Sequence, residues 1–223
     1  RWGLTGTVPK KEYEFKSLHV SLGDVINKVS AVELQEKGLL AQLQIEIMQM
    51  VDWVEYKNYR EEQTHLVTKP SRIRYIGRLV QEIVKSGNTL ILVDRVKSGE
   101  LLQEAIPNST FVSGATKSDD RKETYDEIQT EKDKVIIATY GVAAVGINLP
   151  RIFNLVLLEP GKSFVRAIQS IGRGIRKAKD KDFVQVWDLC STAKFSKRHL
   201  TERKKFYREA QYPFSVTKVD YES

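Results

Sequence analysis

The sequence predicts an α/β fold, a parallel sheet with helices on both faces, on three observations. TLILV (89–93), VIIA (135–138) and FNLVLL (153–158) are short, unbroken apolar runs, as central strands buried on both faces require. Helix-patterned stretches separate them, SGELLQEAI after the first and SDDRKETYDEIQT before the second. The same alternation recurs along the chain, which is the pattern of a doubly wound layered domain.

The remaining elements follow in order. RWGLTGTVP at the start reads as a connection from something upstream. FKSLHV (15–20) and LQIEIMQM (43–50) alternate apolar and polar residues in part and predict half-buried strands. Between them SAVELQEKG opens on Ser30, carries Glu33 three residues later as a capping box, and stops at Gly38. VDWVEYKNYREEQT (51–64) stays open between a helix and an excursion from the core. SRIRYIGRLVQEIVKSG sets Ile73, Ile76, Val80, Ile83 and Val84 near one helical face, with Gly87 to close it. DFVQVWDL (182–189) predicts a late strand.

A chain of 223 residues with one cysteine, Cys190, makes no internal disulfide, which fits a reducing, cytoplasmic setting. No apolar run reaches the roughly 18 residues of a membrane span. The net charge of +7 is unevenly placed. Residues 161–211 hold 14 Lys/Arg against 5 Asp/Glu, and the rest of the chain holds 22 against 24. A positive field confined to one segment points to a surface for phosphates.

AIQSIGRGIRKAKD (167–180) lies in that segment. Ser163 can cap a helix starting at Phe164. At 100° per residue Phe164, Ile168 and Ile171 then cluster within about 60° as a core stripe. Gln169, Arg173 and Arg176 fall roughly 120–180° away, on the opposite face. Gly172 and Gly174 each cost about 1 kcal/mol against alanine inside a helix, which makes sense where a backbone or phosphate comes close. Arginine offers a permanent charge and a rigid fork of donors suited to phosphate.

QSIGRGIR strongly resembles motif VI of the superfamily 2 helicases, Gln-x-x-Gly-Arg-x-x-Arg. Other stretches resemble the same family in the right order: LTGT (4–7) motif III, LILVDRV (90–96) motif IV, VSGATKSDDR (112–121) the segment after it, and IIATYGVAAVGINLP (137–150) motif V. ATYGVAAVGIN, GRGIRK and VWDL resemble in particular the UvsW type of phage DNA helicase. The resemblance implies a RecA-like second lobe over 15–190, the tail of a first lobe at 1–14, and a basic, aromatic extension at 191–223.

It also implies roles. Arg173 and Arg176 would be arginine fingers on ATP held mainly, with Mg2+, by the first lobe, and Gln169 would position them. Gly146 and Asn148 would lie towards the nucleotide; Asn148 stands where many relatives carry an acidic residue on the ribose. Thr139, Ser113, Gly114 and Thr116 would contact nucleic-acid phosphates, since hydroxyls and a free glycine amide suit an anion. Arg95 faces nucleic acid or solvent. Lys204 and Lys205, among Phe195, Phe206, Tyr207, Tyr212 and Phe214, bind DNA or lie on an amphipathic helix packed on the lobe.

Gly161-Lys162-Ser163 imitates the end of a Walker A loop, but the glycine five residues earlier is Val156. The expected function is the C-terminal motor lobe of an ATP-dependent DNA helicase acting on branched or forked DNA, with a first lobe as partner and no membrane. A non-catalytic nucleic-acid-binding module, an RNA helicase lobe and a Rossmann-type nucleotide enzyme are the rivals.

Overall fold

A computed structural model describes residues 3, 12–27, 33, 42–128, 130–144, 151–161, 168 and 183–223. Among these, seven strands form one all-parallel sheet in the order β3-β4-β2-β5-β6-β1-β7. The strands are β1 (Gln42–Met50), β2 (Thr89–Val93), β3 (Ser109–Val112), β4 (Val135–Thr139), β5 (Asn154–Leu158), β6 (Phe183–Ser191) and β7 (Phe214–Val219). The sheet and its helices confirm the predicted α/β class, and every residue of the apolar runs in β2 and β5 is buried.

Side chains alternate between two cores because successive strand residues face opposite ways. Leu90 and Leu92 face one core with Ile136, Leu155, Val186 and Tyr207. Ile91 and Val93 face the other with Ile137, Val156, Ile76 and Leu102. On the second face lie α3 (Pro70–Ile83), where Ile73, Ile76, Val80 and Ile83 form the predicted stripe, and α4 (Val96–Ala105). On the first lie α5 (Ser118–Glu127), α6 (Tyr140–Ala144) and α7 (Lys194–Glu209), with Ile168 buried beside them. Gly87, at φ 138°, closes the stretch after α3; a Cβ there would meet Phe153 at 2.7 Å, so only glycine fits.

FKSLHV is not a strand. It lies in α1 (Glu12–Leu22), which has no buried residue. Its bonds are local: Lys16 pairs with Glu12 at 2.7 Å, Ser21 Oγ donates to the Ser17 carbonyl, and Gly23 N closes on His19 at 2.8 Å. Partial alternation of residue type does not make a strand where no neighbouring strand accepts the ladder. The stretch 51–64 resolves into an irregular exit from β1 and the start of α2 (Tyr59–Thr68), capped by Asn58, whose side chain accepts from Glu61 N at 3.0 Å. The capping box at Ser30 and Glu33 lies outside the described residues apart from Glu33 itself.

Residues 191–223 contribute to the same layers. Leu200 and Tyr207 of α7 enter the first core, and β7 runs parallel to β1 with Ile45 opposite Phe214. Of Phe195, Phe206, Tyr207, Tyr212 and Phe214, Tyr207 is buried, and Phe206, Tyr212 and Phe214 pack against that core. These four rings serve packing, as the amphipathic alternative expected.

Candidate nucleic-acid and nucleotide edge

In a parallel sheet every strand ends on the same edge, and ligands collect there where neighbouring connections leave to opposite faces. β2 meets that condition on both sides. Its chain departs into α4 on one face, whereas β4 departs into α6 on the other and Ile168, after β5, is buried there too.

The ladder register sets which residues meet. Val93 stands opposite Thr139, and Val112 opposite Ala138. Thr139 therefore ends β4 level with Val93 on one side and with Ser113, the first residue past β3, on the other. Ser113 and Thr116 form a hydroxyl turn: Thr116 Oγ1 accepts from Ser113 N at 3.0 Å, and Ser113 Oγ accepts from Ala115 N at 3.3 Å. Gly114 is open, with nothing within 4 Å of an added Cβ. The structure thus gathers Ser113, Gly114, Thr116 and Thr139 at the ends of the adjacent strands β3 and β4, which lie about 5 Å apart.

Arg95 follows β2 at the same edge, but its guanidinium turns to α2, donating to Thr64 Oγ1 and to the Arg60 carbonyl. Lys204 is half-buried and Lys205 exposed on α7. Counted from Lys194 they stand about 15 Å along that helix at 1.5 Å per residue, away from the edge cluster. Gln169, Arg173, Arg176, Gly146 and Asn148 lie outside the described residues, as do Lys162 and Ser163.

A second constellation at this edge, missed in the sequence, is ionic and buried. Arg72 on α3 donates to Glu159 Oε1 and, at 2.8 Å, to the Leu66 carbonyl, with Asp52 Oδ2 3.6 Å from its Nε. Asp52 accepts from Ser191 Oγ at 2.7 Å and from Tyr221. On the opposite face Arg203 of α7 forks onto Asp188 at 2.8 and 2.9 Å and donates to the Pro160 carbonyl at 2.7 Å. Tyr207 donates to the same Asp188. Glu62, fully buried on α2, caps α7 by accepting from Phe195 N and Ser196 N at 3.0 and 2.7 Å, where a carboxylate also suits the helix dipole.

The protonation states follow from burial and pairing. Burial raises the Glu159 carboxyl above its ordinary value against the pull of Arg72. Burial works against the charge of Arg203, yet the Asp188 carboxylate outweighs it and the guanidinium is held more firmly charged. Tyr59, beside this cluster, is pushed up to about 12 by burial, with Asp94 and Glu159 adding to it. Trp53, one residue past the pinned Asp52, leaves 90% of its surface exposed at the same edge.

Residues 71–178 match the helicase conserved C-terminal domain. That segment carries a helicase C-terminal domain. The ATP-dependent DNA helicase UvsW of phage T4 is 24% identical over 217 residues, which is 92% of this chain and 43% of UvsW. Its crystal structure superposes with a TM-score of 0.66 at 21% identity, covering 80% of this chain and 42% of that one. The C-terminal domain of the DEAD-box protein Dbp5 superposes with a TM-score of 0.50 at 18% identity, over 84% of this chain and 93% of that domain. This helicase domain therefore has the RecA-like second-lobe fold, and the chain spans under half the length of UvsW.

Proposed function

We propose that this lobe is the second half of an ATP-driven DNA motor that works on branched or forked DNA. The observation that carries the reading is the level ending of β3, β4 and β2, which sets the hydroxyls of Ser113, Thr116 and Thr139 and the open Gly114 side by side where a parallel sheet binds ligands. A nucleic-acid backbone lies across them, its phosphates taken by these hydroxyls and by backbone amides. ATP and Mg2+ are held mainly by a first lobe. Arg176, with Arg173, reaches the γ-phosphate from this one, Gln169 orients the pair, and Gly146 and Asn148 face the nucleotide. Arg95 ties α2 to the strand that ends beside the phosphates. Closure on ATP assembles the site, and hydrolysis releases it, so the grip on DNA alternates. Branched DNA is the substrate class on similarity to the UvsW type.

Two measurements test this. The purified 223-residue chain by itself shows no DNA-stimulated ATP turnover, and adding a first lobe in the same polypeptide creates it; clear turnover by the chain alone refutes the division of labour. The DNA track extends from the edge onto α7 in this reading, so in that two-lobe protein Lys204→Glu with Lys205→Glu weakens DNA binding and lowers the slope of log affinity against log salt by about 1–2, as expected for two lost phosphate contacts. Binding that keeps both its strength and its slope removes these lysines from the DNA surface.

A further inference from the structure

Trp53 and Phe195 belong to neither core. Trp53 leaves 90% of its surface exposed, yet the backbone that carries it is firmly held. Val51 N donates to the Val219 carbonyl and Asp52 N to Thr192 Oγ1, each at 2.9 Å. The buried Asp52 carboxylate accepts from Ser191 Oγ at 2.7 Å and from Tyr221. Single exposed apolar side chains are ordinary. A tryptophan presented from a pinned mount is a different case, because a rigid aromatic loses little freedom when it binds.

Phe195 stands at the next strand end. β1 and β6 are neighbours with Met50 opposite Ser191, so Trp53, three residues past β1, and Lys194, three past β6, leave the same edge. Phe195 meets the Tyr59 ring edge-on at 6.4 Å between centroids, and Lys194 Nζ lies 5.7 Å from its own centroid, within cation–π reach. Lys197 and Arg198 follow, and all three cations are exposed. At 100° per residue they fall within about 100° of one another, opposite the buried Ser196, Leu200 and Arg203. None of the three pairs with a carboxylate among the described residues. Glu62 already takes the first amides of α7, so an anion here is met by side chains.

Cations beside an exposed ring suit a single-stranded nucleic acid, whose phosphates take the charge and whose bases offer a face to stack. A duplex keeps its bases stacked on one another and offers none. The sheet order puts β6 three strand spacings from β4, about 14 Å. That is roughly four nucleotides at about 3.4 Å each, so one strand reaches from Thr139 to this surface.

We infer that Trp53 stacks on an unpaired base of the DNA track, with Lys194, Lys197 and Arg198 holding the phosphates beside it. This rests on the proposed path of DNA across the edge. It gives the lobe a hold on the unpaired arm of a fork, which hydroxyls that meet only phosphates do not supply.

The test measures affinity of the two-lobe protein for a short single strand, the same strand made abasic, and a blunt duplex. Stacking on one base is worth roughly 5- to 150-fold, so Trp53→Ala loses about that much on the intact strand. It matches wild type on the abasic strand and the duplex, and keeps its melting midpoint and salt slope. Trp53→Phe recovers most of the loss. Lys194→Gln, Lys197→Gln and Arg198→Gln together lower the salt slope on either strand by about 2, at about 0.7 per contact. An equal loss by Trp53→Ala on all three DNAs, or lost ATP turnover with strand affinity intact, makes Trp53 a structural or lobe-to-lobe contact and overturns the inference. If the wild-type protein binds neither strand nor duplex, the DNA-motor reading has failed and this site with it. If it binds both while Trp53→Ala and the triple variant match it, this site alone has failed.

Discussion

Arg176→Ala in the two-lobe protein reduces DNA-stimulated ATP turnover by about 10³-fold or more, with ATP and DNA still bound. An arginine on a transferring phosphoryl group accelerates transfer by about 10³ to 10⁵ through charge that is needed only as the γ-phosphate departs. The loss therefore falls on kcat rather than on KM. Arg176→Lys recovers little, since an ammonium supplies charge without the fork. Arg173→Ala gives a smaller loss in the same direction. Turnover within tenfold of wild type in Arg176→Ala would remove the pair from catalysis and return the lobe to a DNA-binding role.

The largest effect on stability is expected from Asp188→Ala. Asp188 is fully buried in β6 and takes both arms of Arg203 together with the Tyr207 hydroxyl. Its removal leaves a guanidinium locked in the interior without a counter-charge, which costs about 3–5 kcal/mol. Total stability of a domain is only about 5–15 kcal/mol, so this is a large share of it. At roughly 2–4 °C per kcal/mol for a chain of this size, the melting midpoint drops by at least 6 °C. Adding Arg203→Met to Asp188→Ala restores part of the loss, because an apolar side chain in place of the stranded cation removes the desolvation penalty. A double variant less stable than the single one contradicts this account.

The sheet was largely legible because unbroken apolar runs carry their own assignment. β2, β4 and β5 need partners on both faces, and their sequences allow nothing else. The α3 stripe was legible for the same reason at helical period. Two strands lack this signal. β3 is four residues at one edge with only Val112 fully buried, and β7 at the other edge is mostly exposed, so neither shows a strong burial pattern. α1 departs from the expected strand because alternation over six residues is a weak signal when nothing buries either face.

The ordered motifs make the helicase lobe readable, whereas the ionic cluster carries no motif. A signal was present. Arg72 precedes Ile76 by one helical turn and Val80 by two, on the stripe that faces the core. Arg203 occupies the same kind of position between Leu200 and Tyr207. A charge on an apolar stripe must find a buried partner. The partner's identity is not readable, because Glu159 follows β5 and Asp188 lies in β6, and only the sheet order brings them near.

The place of β1 in that sheet also governs how the domain is assembled. Met50 lies beside Ser191 and Val219, so β1, the first described strand of the sheet, is flanked by the last two described, β6 and β7. Until those arrive, its backbone amides and carbonyls have no ladder to join, while β2, β3 and β4 can already zip together among themselves. Pairing of β1 thus waits on synthesis of β6 and β7, and contacts so distant along the chain slow folding and leave a nascent edge in need of protection.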